Sequence, residues 1–397
     1  MSRVDPFAPA PLGPITLRNR IIKAATFEGV MPDALVTDEP IDHHRRVAAG
    51  GVGMSTVAYL AVAPEGRTHA ECIWVRPAAM PGLTRLADAI HAEGAAAAAQ
   101  IGHAGPVANP RSNGAPSLSA SRQINPVALR IIRSATAADI ARVTADYVAA
   151  CRMVVDAGFD AIELHLGHNY LLSSFMSPRL NRRDDEWGGS IENRARFPRR
   201  VASEVRETVG DQVALTAKMN MNDGVKRGLK ETESLEIARL LDRDGTLDAI
   251  ELTGGSSFSN PMYLFRGDVP HDEFAATLPR FARLGFRLVG RRMMPHYPFE
   301  EAYFRDQARA FVQALDTPVV LLGGINRLDT VRSALDEGFA FVAMARALLR
   351  DPDLVNRMQA GEAEAGTCIH CNRCMPSIYT GTRCVLDDPD PVVVDQR

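Results

Sequence analysis

Short apolar runs recur along the chain, each separated from the next by a stretch with helical periodicity. The runs are "NRIIKAAT" (19–26), "VGMSTVAYL" (52–60), "AAAAAQIGH" (95–103), "DAIELHL" (160–166), "VALTAKMN" (213–220), "LDAIELTGG" (247–255), "TPVVLLGG" (317–324) and "FAFVAMAR" (339–346). Each is compact, rich in apolar residues and flanked by Gly or Asp, as expected of parallel strands buried on both faces. Between them lie amphipathic segments such as "PGLTRLADAIHAEG" and "TAADIARVTADYVAACRMVVDAG". Eight such alternations predict an α/β fold, a (β/α)8 TIM barrel over residues 1–362, followed by a Cys-rich tail over 363–397. A doubly wound open sheet is the alternative, weakened because no G-x-G-x-x-G follows the first strand.

Barrels carry their chemistry at the C-terminal ends of the strands. That rule nominates Thr26 and Phe27, Tyr59, Gln100 and His103, the segment from His165 to Tyr170, Lys218, Gly254 and Gly255, Gly323 and Gly324, and Ala345 and Arg346. Loops 104–135 and 256–299 exceed ordinary connections and follow strands, so they are expected as lids on that face. Met262, Met293 and Met294 there are either gap-fillers or substrate contacts. The last two strands end on paired glycines and on Ala-Arg entering a helix. Glycine lets a phosphate approach exposed N–H groups and Arg346 offers a fork of donors, so a phosphate-bearing cofactor is expected.

Composition narrows the partners. The 397 residues carry a net charge of −3, which gives no electrostatic reason to expect nucleic acid or an anionic membrane. No apolar run is long enough to span a bilayer, and the N-terminus lacks a signal-peptide apolar region. The expectation is a cytoplasmic enzyme acting on a small molecule, with homo-oligomerisation left open. Cys72 and Cys151 are isolated and read as small core residues. Cys368, Cys371, Cys374 and Cys384 cluster in the tail, which argues for a metal or cluster rather than disulfides.

The segment from His165 reads "HLGHNYLLSSFMSPRLNRRDDEWGGSIENRARF". It closely resembles the signature of the Old Yellow Enzyme family, the FMN-dependent NADH:flavin oxidoreductases. Two histidines stand three apart, Tyr-Leu follows, and Asn181, Arg183, Asp185, Trp187, Gly188, Gly189, Ser190, Glu192, Asn193 and Arg194 fit the rest. "LRNRII", "APEGR", "QIGHAG" and "ARALLRDP" match in the family's order.

The resemblance implies FMN over the barrel mouth, lined by Ala24, Ala25, Thr26, Phe27 and Tyr59. Gly323, Gly324, Ala345 and Arg346 would hold its phosphate. Gln100 would bond the pyrimidine edge, and Lys218 would stand near flavin N1. Lys218 interrupts an apolar strand, which argues against a solvated or ion-paired lysine. His165 and His168 would donate to a substrate oxygen, and Tyr170 would protonate the α-carbon. NADH or NADPH would reduce the flavin, which would pass hydride to an activated alkene in ping-pong fashion. The first-strand register puts Phe27 beside flavin C4a–N5, and a slip of one residue gives Thr26 that place. Pro106 and Tyr59 also depart from the family pattern. His103 is expected to be structural, with a substrate-side contact open.

The tail, "CIHCNRCMPSIYTGTRC", resembles the cluster segment of larger relatives such as 2,4-dienoyl-CoA reductase, with shorter spacing toward its end. It implies a [4Fe–4S] cluster, with zinc or an unmetallated tail as the alternatives. His370 is more a surface residue than a ligand. Three other functions remain open: amine dehydrogenation or N-demethylation on the same flavin, a metal-dependent barrel lyase or hydrolase built on His165 and His168, and flavin binding without turnover.

Overall fold

A computed structural model describes residues 3–27, 29, 31–125, 130–257, 259–278, 283–286, 290, 294–379 and 381–388. Eight parallel strands close into a barrel. They are β1 (Ile21–Phe27), β2 (Met54–Ala61), β3 (Ala96–Gly102), β4 (Ala161–Leu166), β5 (Ala214–Asn220), β6 (Ala249–Thr253), β7 (Val319–Leu321) and β8 (Phe341–Met344). Each coincides with one of the apolar runs, and the open-sheet alternative is excluded by closure of β8 on β1. Burial on both faces explains the lack of strict alternation: every residue of β2 is buried.

Helices α1 (Asp38–Ala49), α2 (Met80–His91), α3 (Ala137–Asp156), α4 (Ile191–Val209), α5 (Glu231–Asp244), α6 (Arg305–Ala314) and α7 (Leu328–Asp336) connect successive strands, and the short α8 (Arg346–Arg350) follows β8. Local chemistry sets their starts. Thr136 and Asp139 form a reciprocal capping box at α3, and Ser190 caps α4 by accepting from the Asn193 amide.

The barrel floor is one packed layer. Ile22, Met54, Ala98, Ala161, Ala214, Ala249, Val320 and Phe341 supply one side chain per strand. Four consecutive alanines leave room for Leu12 and Leu17 of an N-terminal hairpin (Ala10–Leu12 with Ile15–Leu17), which plugs the bottom. The floor is therefore apolar and sealed, and the open end lies at the C-terminal edge of the strands.

Two departures concern strand ends. β7 stops at Leu321, short of the expected Gly324, because Gly323 and Gly324 turn to φ of 116° and 77°. β1 carries a bulge between Lys23 and Thr26, which shifts the alternation of its last residues. Within the loop after β3, strands Gln123–Asn125 and Arg130–Ser134 pair antiparallel. The tail returns over the barrel mouth. Asn372 donates to the Phe265 and Asp268 carbonyls, and the Thr382 hydroxyl donates to the Phe27 carbonyl.

Candidate active site

A cavity of 430 Å³ opens at the C-terminal ends of the strands. Ala24, Ala25, Thr26 and Phe27, Tyr59, Gln100, His165, His168 and Tyr170, Lys218, Gly323 and Gly324, and Ala345 and Arg346 all line it. Seven of the eight strands thus bring residues more than three hundred positions apart to one wall. The tail contributes His370, Cys374 and Met375, which the sequence did not nominate for this site.

One end of the cavity is a glycine cradle. A Cβ on Gly323 would stand 2.6 Å from Phe304 Cδ2, and one on Gly324 would stand 2.6 Å from Tyr303 Cε1. Positive φ and lack of space both demand glycine here. Beside it, Arg346 donates one nitrogen to the Arg266 carbonyl at 2.9 Å and to Asn372 Oδ1. These bonds fix the guanidinium at the cavity wall. Glycine peptide groups at the cavity wall and a fixed cation suit a phosphate.

The centre of the cavity rests on a buried polar network. Gln100 Nε2 donates to Glu163 Oε1 at 2.7 Å. The Lys218 ammonium lies 3.0 Å from Glu163 Oε1 and 2.8 Å from Glu251 Oε1. The expectation of an unpaired lysine is therefore corrected: Lys218 is held between two buried carboxylates. A cation inside an apolar strand needs such partners, because burial alone would discharge it. Burial acts to lower the Lys218 pKa, but the two carboxylates overcome it and the net shift is upward. Burial pushes Glu251 up to about 7, opposed by Lys218 and reinforced by Glu163. The sequence carried the signal: Ala-Ile-Glu-Leu occurs at 161–164 and again at 249–252, each time with a glutamate inside an apolar strand.

Past β4, His168 and Asn169 adopt φ of 58° and 61°, a conformation that Asn and His tolerate better than most residues. This turn folds His168 back beside His165. The Gly167 amide donates to His165 Nδ1 at 3.1 Å, so His165 carries its proton on Nε2 when neutral. That nitrogen faces His168 Nδ1 at 3.3 Å, and His168 Nε2 lies 3.0 Å from Thr253 Oγ1. Burial first, then Lys218, holds His168 down at about 3. His165 is lowered by burial, His168 and Lys218 in that order. Both rings are neutral at physiological pH, and together they form a chain ending at Thr253, a residue the sequence reading missed. Tyr170 stacks on His165 with ring centroids 4.3 Å apart. Tyr59 meets Tyr170 edge-on at 5.3 Å and donates its hydroxyl to the Gly66 carbonyl.

Other nominated residues lie elsewhere. His103 is fully buried, accepts from the Gly105 amide, and stands 4.0 Å from Glu65. It supports the loop after β2 behind the site. The nearby His103 imidazole, with Arg142 at 2.6 Å assisting against burial, holds Glu65 down at about 2. Met262 packs with Met294 and Met375 in an apolar cluster, and Met294 also lines the cavity. Met293 falls outside the described residues. Cys72 and Cys151 are buried.

Cys368, Cys371, Cys374 and Cys384 line a second, small pocket together with Arg346 and Arg350. Burial raises the Cys374 thiol to about 12. Among the described residues, no three His, Cys, Asp or Glu side chains close on a single metal-ion position. That holds for the tail thiols and for His165 and His168, so neither the zinc reading nor the metal-dependent lyase gains support.

The sequence profile of the NADH:flavin oxidoreductase / NADH oxidase family matches residues 5–252. The chain belongs to this family. It is an NAD(P)H:flavin oxidoreductase of the Old Yellow Enzyme type. A 4,4'-dithiodibutanoate disulfide reductase of Rhodococcus erythropolis is 58% identical over 382 residues, covering 96% of this chain and 95% of the relative. A multifunctional alkene reductase/demethylase of Caballeronia cordobensis is 29% identical, covering 92% of this chain but 50% of its own. Against several family members the chain thus spans about half their length. Among solved structures, a 2-naphthoyl-CoA reductase superposes with a TM-score of 0.83 at 23% identity, over 98% of this chain and 57% of that one. Morphinone reductase gives 0.70 at 22%, over 95% and 94%. These share the fold. No helix among the described residues is long and apolar enough to cross a membrane.

Proposed function

We propose that the cavity holds FMN and that the protein passes hydride from NADH or NADPH, through the flavin, to an activated alkene conjugated to a carbonyl or similar group. The observation that carries this reading is the stacked His165–Tyr170 pair beside His168, facing the same cavity as the glycine cradle. The residues present fit the cofactor. Gly323, Gly324 and Arg346 would hold the phosphate, while Gln100 and Lys218 would bond the pyrimidine edge. FMN, when bound, supplies reversible hydride storage.

The chain's own groups then act on the acceptor. His165 Nε2 and His168 Nδ1 converge on one point, and an acceptor oxygen placed there replaces the bond between them. His165 already carries its proton on Nε2. His168 becomes a second donor when the Thr253 hydroxyl donates to its Nε2, which moves the imidazole proton to Nδ1. Two donors stabilise the negative charge that develops on the oxygen in the transition state. Tyr170 gives its phenolic proton to the α-carbon. The wall formed by Tyr59, Phe27 and Met294 excludes water from the reacting face.

A second acceptor class is favoured by the 58% identity to the Rhodococcus disulfide reductase. A hydride equivalent cleaves R–S–S–R into one thiol and one thiolate, that is, two thiolates and one proton. Thiolates leave unprotonated near neutral pH far more readily than carbanions do, so this reaction does not need Tyr170. The two readings separate in one anaerobic experiment: enzyme reduced by NAD(P)H is mixed with an enone or with an aliphatic dicarboxylate disulfide. Tyr170→Phe slows only the first. If neither compound reoxidises the flavin, both acceptor readings fail.

For the tail, the four thiols lining one pocket suit an iron–sulfur cluster better than a single ion, since a cluster spaces its sulfurs further apart. Loading must displace thiol protons. Iron and acid-labile sulfide in the purified protein support this reading; their absence removes it.

A further inference from the structure

Glu163, Lys218 and Glu251 meet inside the barrel from three adjacent strands, each at most 5% exposed. One ammonium cannot neutralise two carboxylates, so the group carries one negative charge too many for so buried a place. The two carboxylates are not equivalent. Glu163 accepts from Lys218 and from Gln100. Glu251 has Lys218 as its one cationic neighbour among the described residues. Of the two carboxylates Glu251 is therefore the one that takes a proton more readily, and above about pH 7 it rests ionised. The other groups facing the triad do not compensate it: Thr216 and Asn220 on β5 are uncharged, and His165 and His168 above are neutral. Lys218 and Gln100 reach the cavity wall, which links the triad to whatever charge appears there.

Resting on the FMN reading above, we propose that this triad makes flavin reduction proton-coupled: Glu251 takes up a proton when the flavin is reduced and returns it on reoxidation. The nicotinamide gives a hydride to N5, so the ring gains two electrons, one hydrogen and one negative charge, and oxidised nicotinamide leaves. Lys218, shared until then by two carboxylates, is drawn to the charged ring edge. The carboxylate that loses its share, Glu251, takes a proton from solvent. When the acceptor removes the hydride, the ring charge vanishes, and Glu251 releases its proton as Lys218 returns. The net uptake on reduction is two electrons and two protons, one of them on the protein.

The test is the pH dependence of the midpoint potential of the FMN-loaded protein above pH 7. Each proton taken up with two electrons contributes about 30 mV per pH unit. Wild type is expected to show a slope of about 59 mV per pH unit, and Glu251→Gln about 30. A wild-type slope of about 30 throughout overturns the proposal. A slope of about 59 in both proteins assigns the second proton to the ring and also overturns it. Should Glu251→Gln not fold, redox-difference infrared spectroscopy on wild type serves alone. A deuterium-sensitive carboxylic-acid C=O band must grow on reduction, and no such band refutes the idea. FMN that is not retained at all sinks the flavin reading and this one together. Retained FMN with the wrong slope counts against the proton alone.

Discussion

Replacing Glu251 by Gln keeps the shape of the side chain and removes its titration. The carboxyl is fully buried, and burial with Glu163 moves its pKa from 4.5 to about 7 in the folded protein. The sign follows from linkage. Between about pH 4.5 and 7 the folded state keeps a proton that the unfolded state has lost, so stability falls as pH rises. The contribution is fully present below about 4.5 and gone once the pH exceeds about 7. At about 1.36 kcal/mol per pH unit, the loss is on the order of 3 kcal/mol. Urea denaturation of the cofactor-free protein at a series of pH values measures it. Glu251→Gln lacks this loss, so variant minus wild type should rise toward the variant by on the order of 3 kcal/mol from pH 4.5 to 8. Groups distant from the triad titrate alike in both proteins and cancel in the difference. A difference that stays flat across that range refutes the claim that Glu251 is the buried acid of the triad.

Three further outcomes are expected. Tyr170→Phe should slow enone reduction by about 100-fold or more while leaving flavin reduction by NAD(P)H nearly unchanged; stopped-flow absorbance resolves the two half-reactions, and equal losses count against an acid role. Thr253→Val should leave His168 Nε2 without its partner and weaken enone binding roughly 10-fold, about the worth of one hydrogen bond; Thr253→Ser should restore it, and nitrogen-15 NMR of the histidines should show the altered tautomer. Gly324→Ala places a methyl 2.6 Å from the Tyr303 ring at a φ of 77°; FMN retention after gel filtration should fall, and unchanged retention would remove the cradle from the phosphate site.

Much of the fold was legible because a parallel barrel strand is buried on both faces. Eight apolar runs bounded by Gly and Asp mark such strands directly. The cavity wall was legible for the same reason: knowing where a strand ends tells which residue stands at the rim. The interior was harder to read. A glutamate in an apolar strand announces a partner but not its identity, so Glu163 and Glu251 could be joined to Lys218 only once β4, β5 and β6 were seen side by side. Thr253 went unnoticed because its role depends on a left-handed turn at His168 and Asn169, which composition does not specify. The register at Thr26 and Phe27 could not be counted along the chain because the β1 bulge adds a residue without changing the pattern. The tail's return over the mouth rests on side-chain bonds from Asn372 and Thr382 to distant carbonyls, contacts that leave no periodic trace.

The central claim is that the barrel mouth is a flavin site. Its most direct measurement is the visible spectrum of the purified protein, with the released chromophore identified and counted. The account predicts one FMN per chain, bleached by NADH or NADPH under anaerobic conditions. A colourless protein that takes up no FMN when supplied with it would contradict the account.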